Sequence, residues 1–133
     1  MTKLWGVQKT EIDQAWPLVA GLITEAVERG GRHTPEEVRE DIASGDAQLW
    51  VTWVDDEVLG VCVTFVIDHK RMKLCRIWLC TGHDRKQWAH HLQGIEDWAK
   101  SIGCDAIDGV VRPGWEKVMR DYKKTHVVLE KKL

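Results

Sequence analysis

The sequence predicts an α/β fold on a mixed sheet of five or six strands, with helices on both faces. Three patterns indicate it: two amphipathic helices at the start, three apolar strand segments joined by short loops, and a strand–helix–strand unit after them. The 133 residues are expected to form one domain, residues 1–133. With 44% apolar and 30% charged residues, the composition is that of a globular protein with its own core.

The two opening helices are marked by apolar spacing and by capping residues. Apolar side chains recur every three or four positions from residue 11 to 29, which predicts a first helix with Thr10 as its N-cap. A second helix is expected to begin at Pro35, after the N-cap Thr34, and to end before Gly45. Gly30 and Gly31 end the first helix, so both helices carry start and stop signals of their own.

Three strands are predicted over residues 48–54, 58–67 and 74–81. All three are apolar on both faces over much of their length, which favours a sheet covered by helices on both sides. The loops between them are short, so we expect an antiparallel meander.

A crossover unit is predicted to follow. An apolar stripe indicates a long helix from about residue 84 to 102, and residues 106–111 read as a strand. A strand, a helix of this length and another strand predict parallel neighbours. A short helix over residues 115–122 and a last strand over 123–129 close the pattern.

Charge and hydropathy exclude several classes of protein. The net charge is -2, with no basic excess, so nucleic-acid binding is not expected. The chain starts without an apolar signal core, and its longest apolar-rich stretch is too short to cross a bilayer. We therefore expect no membrane association and a cytoplasmic location, in a bacterium or an infected host.

Four cysteines and eight tryptophans stand out in the composition. The cysteines form no C-x-x-C pair, and three lie in apolar strand segments, so buried free thiols are expected and neither a metal site nor a disulfide. The tryptophans are spread along the whole chain, which favours a core role for most of them.

The closing segment resembles the last motif of GNAT-type N-acetyltransferases, which reads approximately N-x-x-A-x-x-x-Y-x-x-x-G-F. Trp115 stands at the Asn position, Val118 at the Ala, Tyr122 at the Tyr, His126 at the Gly and Val127 at the Phe. Residues 46–51 and 112–122 also resemble a GNAT-like group met in phage and prophage genomes. The resemblance extends from Trp5 onward and agrees with the predicted order of elements.

This resemblance implies an acyl-CoA-dependent N-acetyltransferase that moves an acetyl group from acetyl-CoA to an amine acceptor. Tyr122 would be the general acid that protonates the departing thiolate. The strand before residue 82 and the turn after it would cradle the cofactor, with the pyrophosphate at a helix N-terminus. The implied cofactor-binding residues are Leu79, Cys80, Thr81, Gly82, His83, Arg85, Lys86, Gln87 and Trp88.

Several alternatives stay open. The turn carries Gly82 but none of the glycines that usually follow in the family, so Arg85 and Lys86 either hold the phosphates by charge or are solvated surface residues. Tyr122 either protonates the thiolate or packs its ring on the core. Arg76 in a central strand needs a partner, and Asp108 is the candidate.

Two other functional classes are therefore kept beside the enzyme. One is a catalytically inactive GNAT-fold structural or binding protein of a phage particle, which would be associated with the virion. The other is a phage-encoded inhibitor of a host protein. Both imply a protein partner instead of a cofactor.

Overall fold

The computed structural model describes residues 1–133 and contains one five-stranded sheet flanked by helices. The strands lie side by side in chain order: β1 (Lys3–Val7), β2 (Ala47–Val54), β3 (Glu57–Asp68), β4 (Lys73–Gly82) and β5 (Ala106–Gly109). The helices are α1 (Ile12–Gly30), α2 (Pro35–Ser44), α3 (Arg85–Trp88) and α4 (Leu92–Ser101). Neighbouring strands are antiparallel except β4 and β5, which are parallel. The predicted α/β fold with a mixed sheet is confirmed.

Helices α1 and α2 cover one face of the sheet. Their buried residues recur at helical spacing and pack on β2 and β3, forming the α1 cluster. Thr34 caps α2 as predicted, because its hydroxyl accepts the Glu37 N–H at 3.2 Å. The prediction for Thr10 is wrong, since a turn of 3-10 helix over Lys9–Glu11 precedes α1 and Glu11 takes the N-cap place.

The predicted meander is confirmed, with β2, β3 and β4 within one residue of the expected ends. One irregularity interrupts the pairing of β3 with β4. Thr64 pairs with Ile77 and Val63 pairs with Leu79, so Trp78 is an extra residue on β4. A bulge of this kind bends the strand that carries it.

Strands β4 and β5 differ in length, and this leaves an open edge. Their parallel pairing runs from Leu74 with Ala106 to Ile77 with Gly109. Beyond Ile77, β4 continues through residues 78–82, of which residues 79–82 pair with β3 and none pairs with β5. We call this unpaired edge of β4 the notch.

The long helix expected over residues 84–102 is interrupted. It consists of the four-residue α3, a turn of 3-10 helix over Ala89–His91, and α4. The reason is Trp88, whose indole N–H donates to the His83 carbonyl at 2.7 Å. Its ring fills the space above Gly60, where a Cβ would lie 2.5 Å from the ring. Seating the indole this close to the end of β4 ends the first helical segment after one turn.

The face of the sheet opposite α1 carries the second core, here called the α4 cluster. It joins inward residues of β2, β3 and β4 to α3, α4 and the closing segment. Its buried members are Trp50, Leu59, Cys62, Ile77, Trp88, Leu92, Ile95, Trp115 and Met119. None of the helices combines the length and the apolarity needed to cross a bilayer.

The closing segment differs from the prediction. The short helix expected over residues 115–122 is a turn of 3-10 helix, Pro113–Lys117, and the strand expected over 123–129 does not form. Val127, Val128 and Leu129 are exposed. These side chains favour a strand locally, but a strand also needs an edge that pairs with it, and no strand of this sheet does so.

Candidate cofactor site

The side chains that precede the turn after β4 point to opposite faces of the sheet. Leu79 packs against the α1 cluster, whereas Cys80 packs against the α4 cluster. The Thr81 hydroxyl accepts a hydrogen bond from Arg29 Nη2 at 3.1 Å. Protein atoms therefore engage these three side chains, and the notch offers a ligand the backbone edge of β4.

The turn itself is tied to β3. Gly82 has a φ of 155°, and a Cβ there would lie 2.2 Å from the Leu59 carbonyl oxygen. The His83 N–H donates to that same oxygen at 2.7 Å. Only glycine fits at position 82 because the two backbones touch there.

The four residues of α3 have different surroundings. The Arg85 guanidinium lies over the Trp115 ring, 5.0 Å from its centroid. Lys86 and Gln87 are exposed. Trp88 is 3% exposed and belongs to the core. Within α3, Arg85 and Lys86 are thus placed within reach of solvent at the turn, whereas Trp88 supports the turn from the protein interior.

Tyr122 lies against the α4 cluster, and its hydroxyl donates to Glu96 Oε2 at 2.7 Å. Burial, followed by the hydrogen bond to the Glu96 carboxylate, raises the pKa of Tyr122 above its ordinary value. The phenol therefore keeps its proton at neutral pH. Cys80 packs against the same cluster, so the predicted acid and the predicted cofactor strand share one face of the sheet.

The four cysteines are free thiols, of which Cys62 and Cys75 are buried as predicted, whereas Cys80 and Cys104 are only half-buried. Cys62 pairs with Cys80 across β3 and β4, and the hydrogen bond with Cys80, together with burial, raises the pKa of Cys62 well above its ordinary value. Burial raises the pKa of Cys75 to about 11. Cys62 and Cys75 are therefore neutral thiols near pH 7.

The predicted partnership of Arg76 with Asp108 is confirmed. The guanidinium donates from Nε and Nη2 to the two carboxylate oxygens, each at 2.9 Å, across the parallel pair β4–β5. Both side chains are about a third exposed, at 34% and 39%. This bidentate pair joins the two strands just before the notch opens.

Sequence reasoning missed two residues at the site. Glu96 lies one turn after Leu92 in α4, so a carboxylate within the apolar stripe was the signal that could have found it. Arg29 lies in the last turn of α1, away from the buried positions of that helix, and its contact with Thr81 joins residues 52 apart. No local pattern predicts such a contact.

Comparisons with known proteins agree with this architecture. Residues 16–126 match the model of the acetyltransferase (GNAT) family. No curated protein has a significantly similar sequence.

The structure resembles solved acetyltransferases at low sequence identity. For the aminoglycoside acetyltransferase HMB0005 from an uncultured soil metagenomic sample, the TM-score is 0.75 at 11% identity, over 100% of this chain and 97% of that one. For the aminoglycoside acetyltransferase meta-AAC0020 from an uncultured soil metagenomic sample, in complex with sisomicin, the TM-score is 0.71 at 10% identity, over 99% of this chain and 96% of that one. For the ribosomal-protein-alanine N-acetyltransferase from Brucella melitensis biovar Abortus 2308, it is 0.66 at 11% identity, over 98% and 100%.

At these identities the solved structures establish the shared fold, and the family model covers most of the chain. The parallel β4–β5 pair with its notch, the turn into α3 and Tyr122 facing the same core all fall inside the matched residues. The chain therefore belongs to the acetyltransferase (GNAT) family.

Proposed function

We propose that the protein transfers an acetyl group from acetyl-CoA to an amine. The observation that carries the proposal is the notch, because residues 78–82 of β4 run beyond the end of β5. Such a stretch has backbone N–H and C=O groups free on one edge, and an extended amide-containing arm can pair with them as a strand would. The pantetheine arm of acetyl-CoA is a ligand of this kind.

The residues around the notch fit such a cofactor in part. The backbone edge suits the arm, and Arg85 and Lys86 supply positive charge at the turn that follows. Bound acetyl-CoA would supply the acetyl group as a thioester. The proposed contacts are those predicted for residues 79–83 and 85–88, with Trp88 acting through the packing of the turn.

Tyr122 is the proposed proton donor. Its Oη holds a proton at neutral pH and lies on the face of β4 that Cys80 also faces. Glu96 accepts that proton's hydrogen bond at 2.7 Å, so Glu96 fixes the direction in which the hydroxyl points. To protonate a sulfur in the notch, Oη has to exchange this hydrogen bond for one to the sulfur.

A second candidate is a GNAT-fold binding protein without catalysis, and one observation favours it. The His83 N–H and the Tyr122 hydroxyl, which a bound cofactor would use, already have partners in Leu59 and Glu96. A partner protein would then take the place of the cofactor. The phage-particle and host-inhibitor roles stay predictions of this class.

Calorimetric titration with acetyl-CoA separates the two candidates. We expect saturable binding at a 1:1 ratio, followed by release of free thiol when amines are added, with an aminoglycoside, a polyamine and an alanine-terminated peptide as probes. Desulfo-CoA is the control, since it retains the arm and the phosphates but cannot donate an acetyl group. Absence of heat at high protein concentration would contradict the enzyme and leave the binding protein.

A further inference from the structure

The backbone of the turn after β4 offers few groups that could bind a phosphate. The inference drawn from this rests on the proposed use of acetyl-CoA. The backbone of Gly82 packs closely against Leu59, and no further glycine follows before Trp88. The His83 N–H is also occupied by the Leu59 carbonyl. Charged side chains have to provide what a glycine-rich turn provides through its backbone.

Arg85 provides such a charge on one face of the sheet. Its guanidinium lies over the Trp115 ring, 5.0 Å from the ring centroid, where cation–π attraction holds it. This contact lies on the α4 side of β4.

Arg29 occupies the matching place on the α1 side. Its Nη2 donates to the Thr81 hydroxyl at 3.1 Å, directly before Gly82. The side chain is exposed and has no carboxylate within ion-pair distance, whereas Arg32, Arg39 and Arg76 each have one.

The end of α1 explains only part of this arrangement. A cation is favoured at a helix C-terminus by the helix dipole, and that accounts for a basic residue in the last turn. It does not require the side chain to reach across to β4. The contact with Thr81 uses one of the five N–H groups of the guanidinium, and no other hydrogen bond of this side chain is present in the chain.

We propose that Arg29, positioned by Thr81, is a phosphate-binding residue of the acetyl-CoA site. It binds the pyrophosphate of the cofactor from the α1 face while Arg85 approaches from the α4 face. The planar guanidinium suits this role because it can donate two parallel hydrogen bonds to one phosphate group. The two arginines take over the function of the missing turn glycines.

The test is calorimetric titration of the full chain with CoA at low ionic strength. Arg29→Gln should weaken CoA binding by about ten- to a hundredfold, because it removes charge-assisted hydrogen bonds. Thr81→Val should cause a smaller loss, since it frees the guanidinium without removing it. Arg39→Gln is the matched control: Arg39 stacks on Trp16 and pairs with Asp13, so CoA affinity should stay within twofold of the wild type.

Each outcome decides the proposal. CoA affinity of Arg29→Gln within twofold of the wild type would overturn it. So would a loss of affinity accompanied by an equal loss in Arg39→Gln, or by a lower melting temperature of the free protein, since either indicates a structural effect. If the wild-type chain binds no CoA at all, the proposed function itself fails. If the wild type and Arg29→Gln bind CoA equally well, only the role of Arg29 is overturned.

Discussion

The Tyr122 hydroxyl and the Glu96 carboxylate form the one hydrogen-bonded pair that links the closing segment to α4. The hydrogen bond to Glu96 helps keep the Tyr122 hydroxyl protonated, and it fixes the position of the tyrosine ring. Removing one member leaves a half-buried polar group without its partner, which costs more than the bond contributes. Catalysis and stability can therefore be separated by changing one partner at a time.

Tyr122→Phe is expected to lower kcat for acetyl transfer by about 10²–10⁴-fold, because the departing thiolate loses its proton donor. Affinity for acetyl-CoA should stay nearly unchanged, since the ring remains in place. The variant should also unfold about 1–2 kcal/mol more easily, because Glu96 is left unpaired. Steady-state kinetics and urea denaturation measure the two effects.

Glu96→Gln provides the control for this substitution. The amide oxygen can still accept the tyrosine hydrogen bond, so most of the stability should be retained. Turnover of Tyr122→Phe equal to that of the wild type would leave Tyr122 as a packing residue.

Single residues were predictable where their surroundings made them unusual. An arginine in an apolar strand required a carboxylate, and Asp108 on the neighbouring strand supplied it. Arg29 sits at an exposed helix end, where arginine is common, so its contact with Thr81 was not predictable. A local pattern identifies a residue that is out of place locally, but not one whose partner comes from a distant element.

At the scale of elements, the break between α3 and α4 shows how one side chain overrides periodicity. The apolar stripe continues through the break, and for that reason a single helix was predicted. The indole of Trp88 instead caps the His83 carbonyl and fills the space above Gly60. Because the space exists only when β3 lies beneath the turn, the sequence of the helix alone does not contain this information.

The turn after β4 depends on Gly82. Gly82→Ala is expected to destabilise the protein by about 3 kcal/mol or more, because the added Cβ would meet the Leu59 carbonyl oxygen and the residue has a φ that favours glycine. Thermal and urea denaturation would measure the loss.

Gly21→Ala is the matched control for the glycine substitution. This glycine lies within α1 and has no heavy atom within 4 Å of an added Cβ. Alanine there should stabilise the helix by about 0.5–1 kcal/mol. Equal effects of the two substitutions would contradict the account of the turn.

The layered α/β fold was predictable from the spacing of apolar residues, because helical and strand spacing specify which elements form and which faces of the sheet they cover. The notch was not predictable, since it depends on where β5 stops relative to β4. The final strand was wrongly predicted for a related reason. Residues 127–129 favour a strand by composition, yet pairing is a property of the assembled sheet.

Buried thiols predict how the whole fold responds to alkali. The folded chain raises the pKa of Cys75 from 9.0 to about 11, so above pH 9 the unfolded chain releases a proton that the folded chain retains. Stability from this group is complete below pH 9 and is lost as the pH rises toward 11. The free energy of unfolding should therefore fall over this range, with Cys62 and Tyr122 contributing in the same direction.

Urea denaturation of Cys75→Ala from pH 8 to 11 checks this expectation. Its free energy of unfolding should fall less steeply than that of the wild type, by up to about 1.4 kcal/mol per pH unit. A Cys75→Ala slope equal to the wild-type slope would exclude this thiol as a source of the pH dependence.

The stack of Arg85 on Trp115 has an optical consequence. Indole emission responds to a cation held over the ring, and Trp88 lies 5.8 Å from Trp115, close enough for the two rings to exchange excitation. An anion that draws the guanidinium away from the ring would change the emission of this pair. The difference between wild-type and Trp115→Phe spectra isolates that signal, so the chain carries its own fluorescent reporter beside the turn.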